Sequence, residues 1–91
     1  SDFIWNDVGS WKSLKDVLFQ DRFGNHLSNS GISIDSSNVL SISNKPVFLV
    51  GVNDIGVIEC EDSILILNLN DSENVKLLTS KLENSNFKKL L

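Results

Sequence analysis

Residues 31–69, GISIDSSNVLSISNKPVFLVGVNDIGVIECEDSILILNL, decide the fold class. Apolar residues come in short runs, separated by Asn, Asp, Ser and Gly. Ile32 and Ile34 alternate with Ser33 and Asp35, and Leu40 and Ile42 alternate with Ser41 and Ser43. Alternation of this kind is the period of a half-buried strand. Val47–Val52, Ile55–Ile58 and Ile64–Leu67 are continuously apolar, as strands buried on both faces are. Pro46 stands at the start of one run, where its missing N–H is tolerated. Strand starts near Ile32, Val39, Val47, Ile55 and Ile64 lie 7, 8, 8 and 9 residues apart. Such tight spacing predicts a mainly β domain: a sandwich, a small barrel or a β-solenoid. There is no clean hexapeptide repeat, so periodicity alone leaves the choice open.

Helices flank this core. Gly9 and Ser10 make a turn and an N-cap, and Trp11, Leu14 and Leu18 follow at helical spacing beside Val17. Lys12, Lys15 and Asp16 fall on the solvent side of that pattern. The spacing predicts a helix over about 10–19, ended by the turn residues Asp21–Asn25. His26 falls in the loop that follows, without a second histidine or cysteine to share a metal. After Asn70-Asp71-Ser72, the apolar positions Val75, Leu78 and Leu82 predict a second helix over about 72–83.

Ninety-one residues make one small domain with a modest core of its own. The net charge of −4 and the absence of a basic patch argue against a nucleic-acid partner. No apolar run approaches the ~20 residues that span a membrane, and no signal peptide is present. The single cysteine, Cys60, lies in a strand pattern and reads as a packed thiol in a reducing, cytoplasmic compartment. A chain that starts Ser1-Asp2-Phe3 and has no methionine reads as a processed product or a fragment.

The chemistry-bearing stretch is Phe3-Ile4-Trp5-Asn6-Asp7-Val8-Gly9-Ser10-Trp11. A carboxylate ahead of a capped helix start suits Mg²⁺ beside a phosphate, because Mg²⁺ takes one or two carboxylates and helix N–H groups favour anions. A structural role for Asp7 as a turn residue, with the tryptophans in the core, fits the same residues.

Trp5–Trp11 resembles the W-x-D-V-G-S-W motif of the mannose-1-phosphate guanylyltransferases. The likeness continues in order. Gly24-Asn25 resembles the family's G-N turn, and Lys45-Pro46-Val47 through Asp54 resembles its stretch ending V-G-V-x-D. Ile58–Ile66 resembles V-x-T-x-D-A-x-L-V, and Asn74-Val75-Lys76 resembles D-V-K.

The resemblance implies the C-terminal part of an enzyme that transfers GMP from GTP to mannose 1-phosphate. That activity yields GDP-mannose for polysaccharide biosynthesis. The resemblance also implies a short left-handed parallel β-helix, while the strand spacing fits a small antiparallel β-sandwich nearly as well. Residues 1–30 then close a nucleotidyltransferase catalytic domain, and residues 31–91 form the β-helix-like domain with its terminal helix. By the same resemblance, Asp7 is a catalytic residue and a ligand of Mg²⁺, and Gly9 lets the backbone approach the sugar. The expected partners are the N-terminal catalytic domain, GTP, mannose 1-phosphate and further copies of the chain.

Ser43-Asn44, Cys60 and Asn74 depart from the family's usual residues. Its Gly-rich nucleotide loop and second metal-binding aspartate are absent from this sequence. The isolated chain is therefore expected to be inactive and to hold no cofactor. A free-standing β module, serving as an oligomerisation or binding surface, is the competing reading.

Overall fold

A computed structural model describes residues 15–71 and 74–87 of the chain. Six strands run in chain order: β1 (His26–Leu27), β2 (Gly31–Ile34), β3 (Leu40–Ile42), β4 (Val47–Val50), β5 (Ile55–Glu59) and β6 (Ile64–Asn68). They are followed by helix α1 (Val75–Glu83).

The strands separate into two sheets, alternating between them from β1 to β5. One has the order β1-β3-β5-β6, and the other contains β2 and β4. β1 pairs with β3, β3 with β5 and β2 with β4, all in parallel. The chain therefore winds as a coil that lays one strand in each sheet per rung. The register sets the rung length: His26 lies beside Leu40, Gly31 beside Val47, and Leu40 beside Gly56. A third side is stitched by the parallel bridge between Ser37 and Asn53. This is a β-helix-like coil, and its parallel pairing rules out the antiparallel sandwich. Among the described residues only the last pair is antiparallel: after β5 the chain turns back, and β6 runs along β5 from Ile55 beside Asn68 to Glu59 beside Ile64.

Left-handed backbone makes the corners. Asn38 and Asp54 have φ of 54° and 61°, with Gly24 at 81° one rung earlier. Asp35 and Gly51 repeat the pattern at 50° and 65° on another corner. Short polar residues and glycine occupy these positions because they tolerate this region at least cost. The Asn, Asp and Gly punctuation of the sequence is thus the corner code of the coil.

Apolar burial divides between the two faces of the larger sheet. On the outer face, Leu40, Ile58, Leu65 and Leu67 form one cluster with Leu69 and Val75, joined by Leu18, Ile42, Leu78 and Leu82. This cluster takes in the α1 stripe Val75, Leu78 and Leu82, as the spacing predicted. Val39 and Leu49 are also buried but lie outside that cluster. They fill the inside of the coil.

Three sequence expectations need correction. The continuous apolar runs are not buried on both sides: Phe48 and Val50 are 69% and 70% exposed, while Leu49 between them is buried. In β2 the pattern is inverted, with Ile32 and Ile34 outward and Ser33 toward the coil. A coil this narrow has room inside for only one residue in two, and small ones serve as well as large. Lys15, expected in solvent, is buried, and its Nζ donates to Gln20 Oε1 at 3.2 Å. Gln20 Nε2 donates in return to the Lys15 carbonyl at 2.7 Å.

The helix expected over about 10–19 is described only from residue 15, and residues 15–17 are helical. Of the helix expected over about 72–83, α1 spans Val75–Glu83, and residues 72–73 lie outside the described residues. Asn74, its N-cap, makes no side-chain capping bond, and its Nδ2 donates to Asp71 Oδ2 at 2.6 Å.

Candidate functional site

The predicted site residues Asp7 and Gly9, with Ser10 and Trp11, lie outside the described residues. What the structure does place is the polar chemistry of the coil, and it is arranged as ladders between rungs. Asn25 is the clearest case. It is buried, its Nδ2 donates to the Ser36 carbonyl at 3.0 Å, and its Oδ1 accepts from the Val39 N–H at 3.0 Å. One side chain thereby ties the first rung to the second and satisfies itself, as a buried amide must. Local pattern did not mark Asn25 for this role. The signal was its place after Gly24, whose left-handed backbone turns the chain into β1.

The same logic repeats one rung on. Ser37 donates through its N–H and its Oγ to Asn53 Oδ1, at 3.0 and 2.7 Å. Asn38 Nδ2 donates to Asp54 Oδ1 at 2.6 Å. Beside this corner lies an open cleft of about 350 Å³, lined by Phe23, Ser33, Asp35, Ser36, Ser37 and Asn53. The side-chain oxygens of Ser36, Ser37 and Asn53 are engaged in hydrogen bonds of the coil, while the Ser33 hydroxyl and the Asp35 carboxylate also line the cleft.

Ser43, Lys45 and Glu59 form the opposite corner. Glu59 Oε1 accepts from Ser43 Oγ at 2.6 Å and from the Asn44 N–H at 2.9 Å. Those two donors, the Ser43 hydroxyl foremost, hold the Glu59 carboxyl below its ordinary value near 4.5. The Lys45 ammonium, 3.9 Å away and largely exposed, adds little. Asp21 is lowered in the same sense, first by the Asn25 N–H, and also by the Phe23 N–H at 2.8 Å. Depressed carboxyl values stabilise the folded state above the unfolded value and lose that contribution as pH falls through the folded one. The melting temperature is therefore expected to fall as acid protonates Glu59. Glu59→Gln should melt lower than wild type at neutral pH, and the gap should close in acid. A pH series of thermal melts on both proteins checks this, and a gap constant with pH would contradict it.

Burial pushes the Cys60 thiol up, and its Sγ lies 3.8 Å from the Ile58 carbonyl. It is a packed thiol rather than an activated nucleophile. His26, expected in a loop, is in β1, with Nδ1 2.6 Å from the Phe19 carbonyl. Among the described residues no group of three or more His, Cys, Asp or Glu is placed to hold a metal ion. Among them also, no helix is long and apolar enough to cross a membrane.

No family model matches the chain. It is 33% identical over 84 residues to the xanthan biosynthesis protein XanB of Xanthomonas campestris pv. campestris, covering 92% of this chain and 18% of that protein. It is 36% identical over 86 residues to the putative mannose-1-phosphate guanylyltransferase of Vibrio cholerae, covering 93% and 18%. The mannose-1-phosphate guanylyltransferase of Salmonella montevideo is 34% identical over 83 residues, covering 90% and 18%.

The chain is a homologue of the mannose-1-phosphate guanylyltransferases.

It spans less than a fifth of the length of these guanylyltransferase relatives. A solved structure described as a mannose-1-phosphate geranyltransferase from Thermus thermophilus superposes with a TM-score of 0.65 at 23% identity. It covers 86% of this chain and 24% of that one, and at this identity the likeness speaks for the fold alone. The guanylyltransferase resemblance of Trp5–Trp11 and of the coil thus has a counterpart in whole-sequence similarity across about nine-tenths of the chain.

Proposed function

We propose that this chain is the β-coil segment of an enzyme that transfers GMP from GTP to mannose 1-phosphate, releasing pyrophosphate and forming GDP-mannose. The observation that carries the reading is the similarity over about nine-tenths of the chain to proteins some five times longer. The coil's own polar groups support a structural and assembly role, since Asn25, Ser37, Asn38 and Ser43 bond between rungs. The reaction itself belongs to a nucleotidyltransferase domain N-terminal to this segment. Residues 1–30 close that domain and residues 31–91 form the coil domain. Asp7 reaches the site as a Mg²⁺ ligand and Gly9 gives the sugar room. Mg²⁺ supplies counter-charge at the reacting phosphates, its other protein ligand lying outside this chain. The segment self-associates, and the enzyme works in the cytoplasm.

A self-contained binding module is the second reading. The outward Ile32, Ile34, Phe48 and Val50 speak against it, because a free-standing domain of this size rarely leaves so much apolar surface bare.

The 91-residue chain alone is expected to release no pyrophosphate from GTP and mannose 1-phosphate, with or without Mg²⁺. A full-length polypeptide carrying the segment is expected to do so. A coupled pyrophosphate assay on both decides. Turnover by the isolated chain, or a full-length protein without it, overturns the reading.

A further inference from the structure

Four parts of the coil meet at the cleft beside the Ser37 corner. Phe23 comes from the turn that enters β1, Ser33 from β2, Asp35 to Ser37 from the corner after β2, and Asn53 from the next rung. The walls are held from behind. The Asn38 N–H donates to the Phe23 carbonyl at 3.1 Å, and the Phe23 N–H donates to Asp21 Oδ1 at 2.8 Å. The hydroxyl of the buried Ser36 accepts from the Val52 N–H at 3.2 Å, which ties its rung to the next. Walls fixed in this way need little ordering when a ligand enters. The volume of about 350 Å³ lies at the small end of the roughly 300–1,000 Å³ typical of small-molecule sites.

The coil leaves several of the polar groups here unused. Ser37 gives both its N–H and its hydroxyl to Asn53 Oδ1, at 3.0 and 2.7 Å. That fixes the amide with its oxygen on the coil and its Nδ2 as the remaining donor. Among the described residues no protein acceptor takes this Nδ2, and no hydrogen bond uses the Ser33 hydroxyl or the Asp35 carboxylate. Nor is an aspartate needed to build its corner. The equivalent corner one rung on is made by Gly51, and both positions are left-handed, with φ of 50° and 65°. Aspartate adopts this region less readily than glycine, and what it adds is a carboxylate in the cleft. The fourth element is aromatic. Phe23 is half exposed, and the Arg22 guanidinium lies 4.7 Å from its ring centre, which leaves the opposite face open.

We propose that this cleft binds the pyranose ring of an uncharged sugar. Each sugar hydroxyl both donates and accepts, and the unused groups match that mixture. The Asp35 carboxylate accepts from neighbouring hydroxyls, Asn53 Nδ2 donates, and the Ser33 hydroxyl does either. The C–H face of the ring suits the negative face of Phe23. A cation would answer Asp35 and Phe23 but leave the Asn53 donor unmatched. An anion would meet Asp35, the one carboxylate among the lining residues. The proposal goes beyond the transferase reading and does not depend on it.

Nitrogen–proton correlation spectra of the 91-residue chain, titrated with the methyl α-pyranosides of mannose, glucose and galactose, test it. At least one is expected to give saturable shifts at the amides of Phe23, Ser33, Asp35 and Asn53, with a Kd on the order of 1 mM. Asp35→Asn keeps a residue that tolerates the left-handed corner but removes the charge, and is expected to weaken binding at least about tenfold. Phe23→Leu keeps an apolar side chain without the ring face, and is expected to weaken it about fivefold. Both variants should melt near wild type, because both side chains are exposed. Should Asp35→Asn melt early, Asp35→Gly, which repeats the corner of Gly51, serves in its place. No pyranoside shifting these amides, or shifts that the Asp35 variant leaves unchanged, overturns the proposal. Tetramethylammonium shifting them where no pyranoside does overturns it as well, in favour of a cation site.

Discussion

Gly31→Ala is expected to abolish the stable fold of the chain. A Cβ at Gly31 would lie 2.0 Å from the Val47 carbonyl oxygen and 3.1 Å from Leu27 Cδ1. The first of these is backbone on the neighbouring rung, so relief requires β2 and β4 to part. The φ of 148° adds strain of its own for any residue with a side chain. The expected loss is at least ~3 kcal/mol, a large share of the 5–15 kcal/mol that holds a typical domain folded. Gly51 is the control. It is also left-handed, at 65°, but a Cβ there meets nothing within 4 Å. Gly51→Ala should therefore cost only the backbone term, about 1–2 kcal/mol. Urea unfolding of the two variants and wild type gives the ranking. A Gly31→Ala protein as stable as Gly51→Ala would mean that the two strands separate without difficulty.

The second large effect concerns Asp7 in a full-length polypeptide carrying this segment. Asp7→Asn keeps the shape of the side chain and removes its charge. Phosphoryl-type transfer depends on positioning and on counter-charge at the phosphates. If Asp7 holds Mg²⁺ there, kcat falls on the order of 10²-fold or more, the scale for loss of a major electrostatic stabiliser. Folding should survive, since asparagine suits the same turns. If Asp7 only shapes the turn, kcat stays near wild type and any defect appears as lost thermal stability. Measuring kcat over a Mg²⁺ titration together with thermal unfolding separates the outcomes. Near-wild-type turnover would remove Asp7 from the site.

The strand positions were legible because strands leave a local trace. Runs starting at Ile32, Val47, Ile55 and Ile64 match β2, β4, β5 and β6 to within a residue. β1 was not legible: two residues long, it exists because the Asn25 side chain and the neighbouring rung hold it in place. Parallel pairing was not legible from spacing either. A partner lying sixteen residues on, as Ser33 lies from Leu49, leaves no mark on a window of eight. Hydrophobicity misled about direction in β2 and β4, because it reports that a residue avoids water but not which neighbour will cover it. Ile32 and Phe48 are apolar without being core, and residue type alone cannot separate those conditions. The candidate site was read through likeness to a family, whereas the ladder of Asn25, Ser37, Asn38 and Glu59 depends on contacts between rungs that no local motif encodes.

His26 to Leu40 is 14 residues while the later circuits are 16, an even difference that bears on how such a sequence can change length. Gly31 to Val47 and Leu40 to Gly56 each measure one circuit of the coil. A single residue added inside a strand would swap the inward and outward positions beyond it, and would move Asn38 and Asp54 off the corners that need left-handed backbone. A whole circuit added would leave every residue facing as before and simply lengthen the coil. Descent should therefore preserve the length of each circuit more strictly than the identity of its side chains, with isolated insertions collecting at the corners.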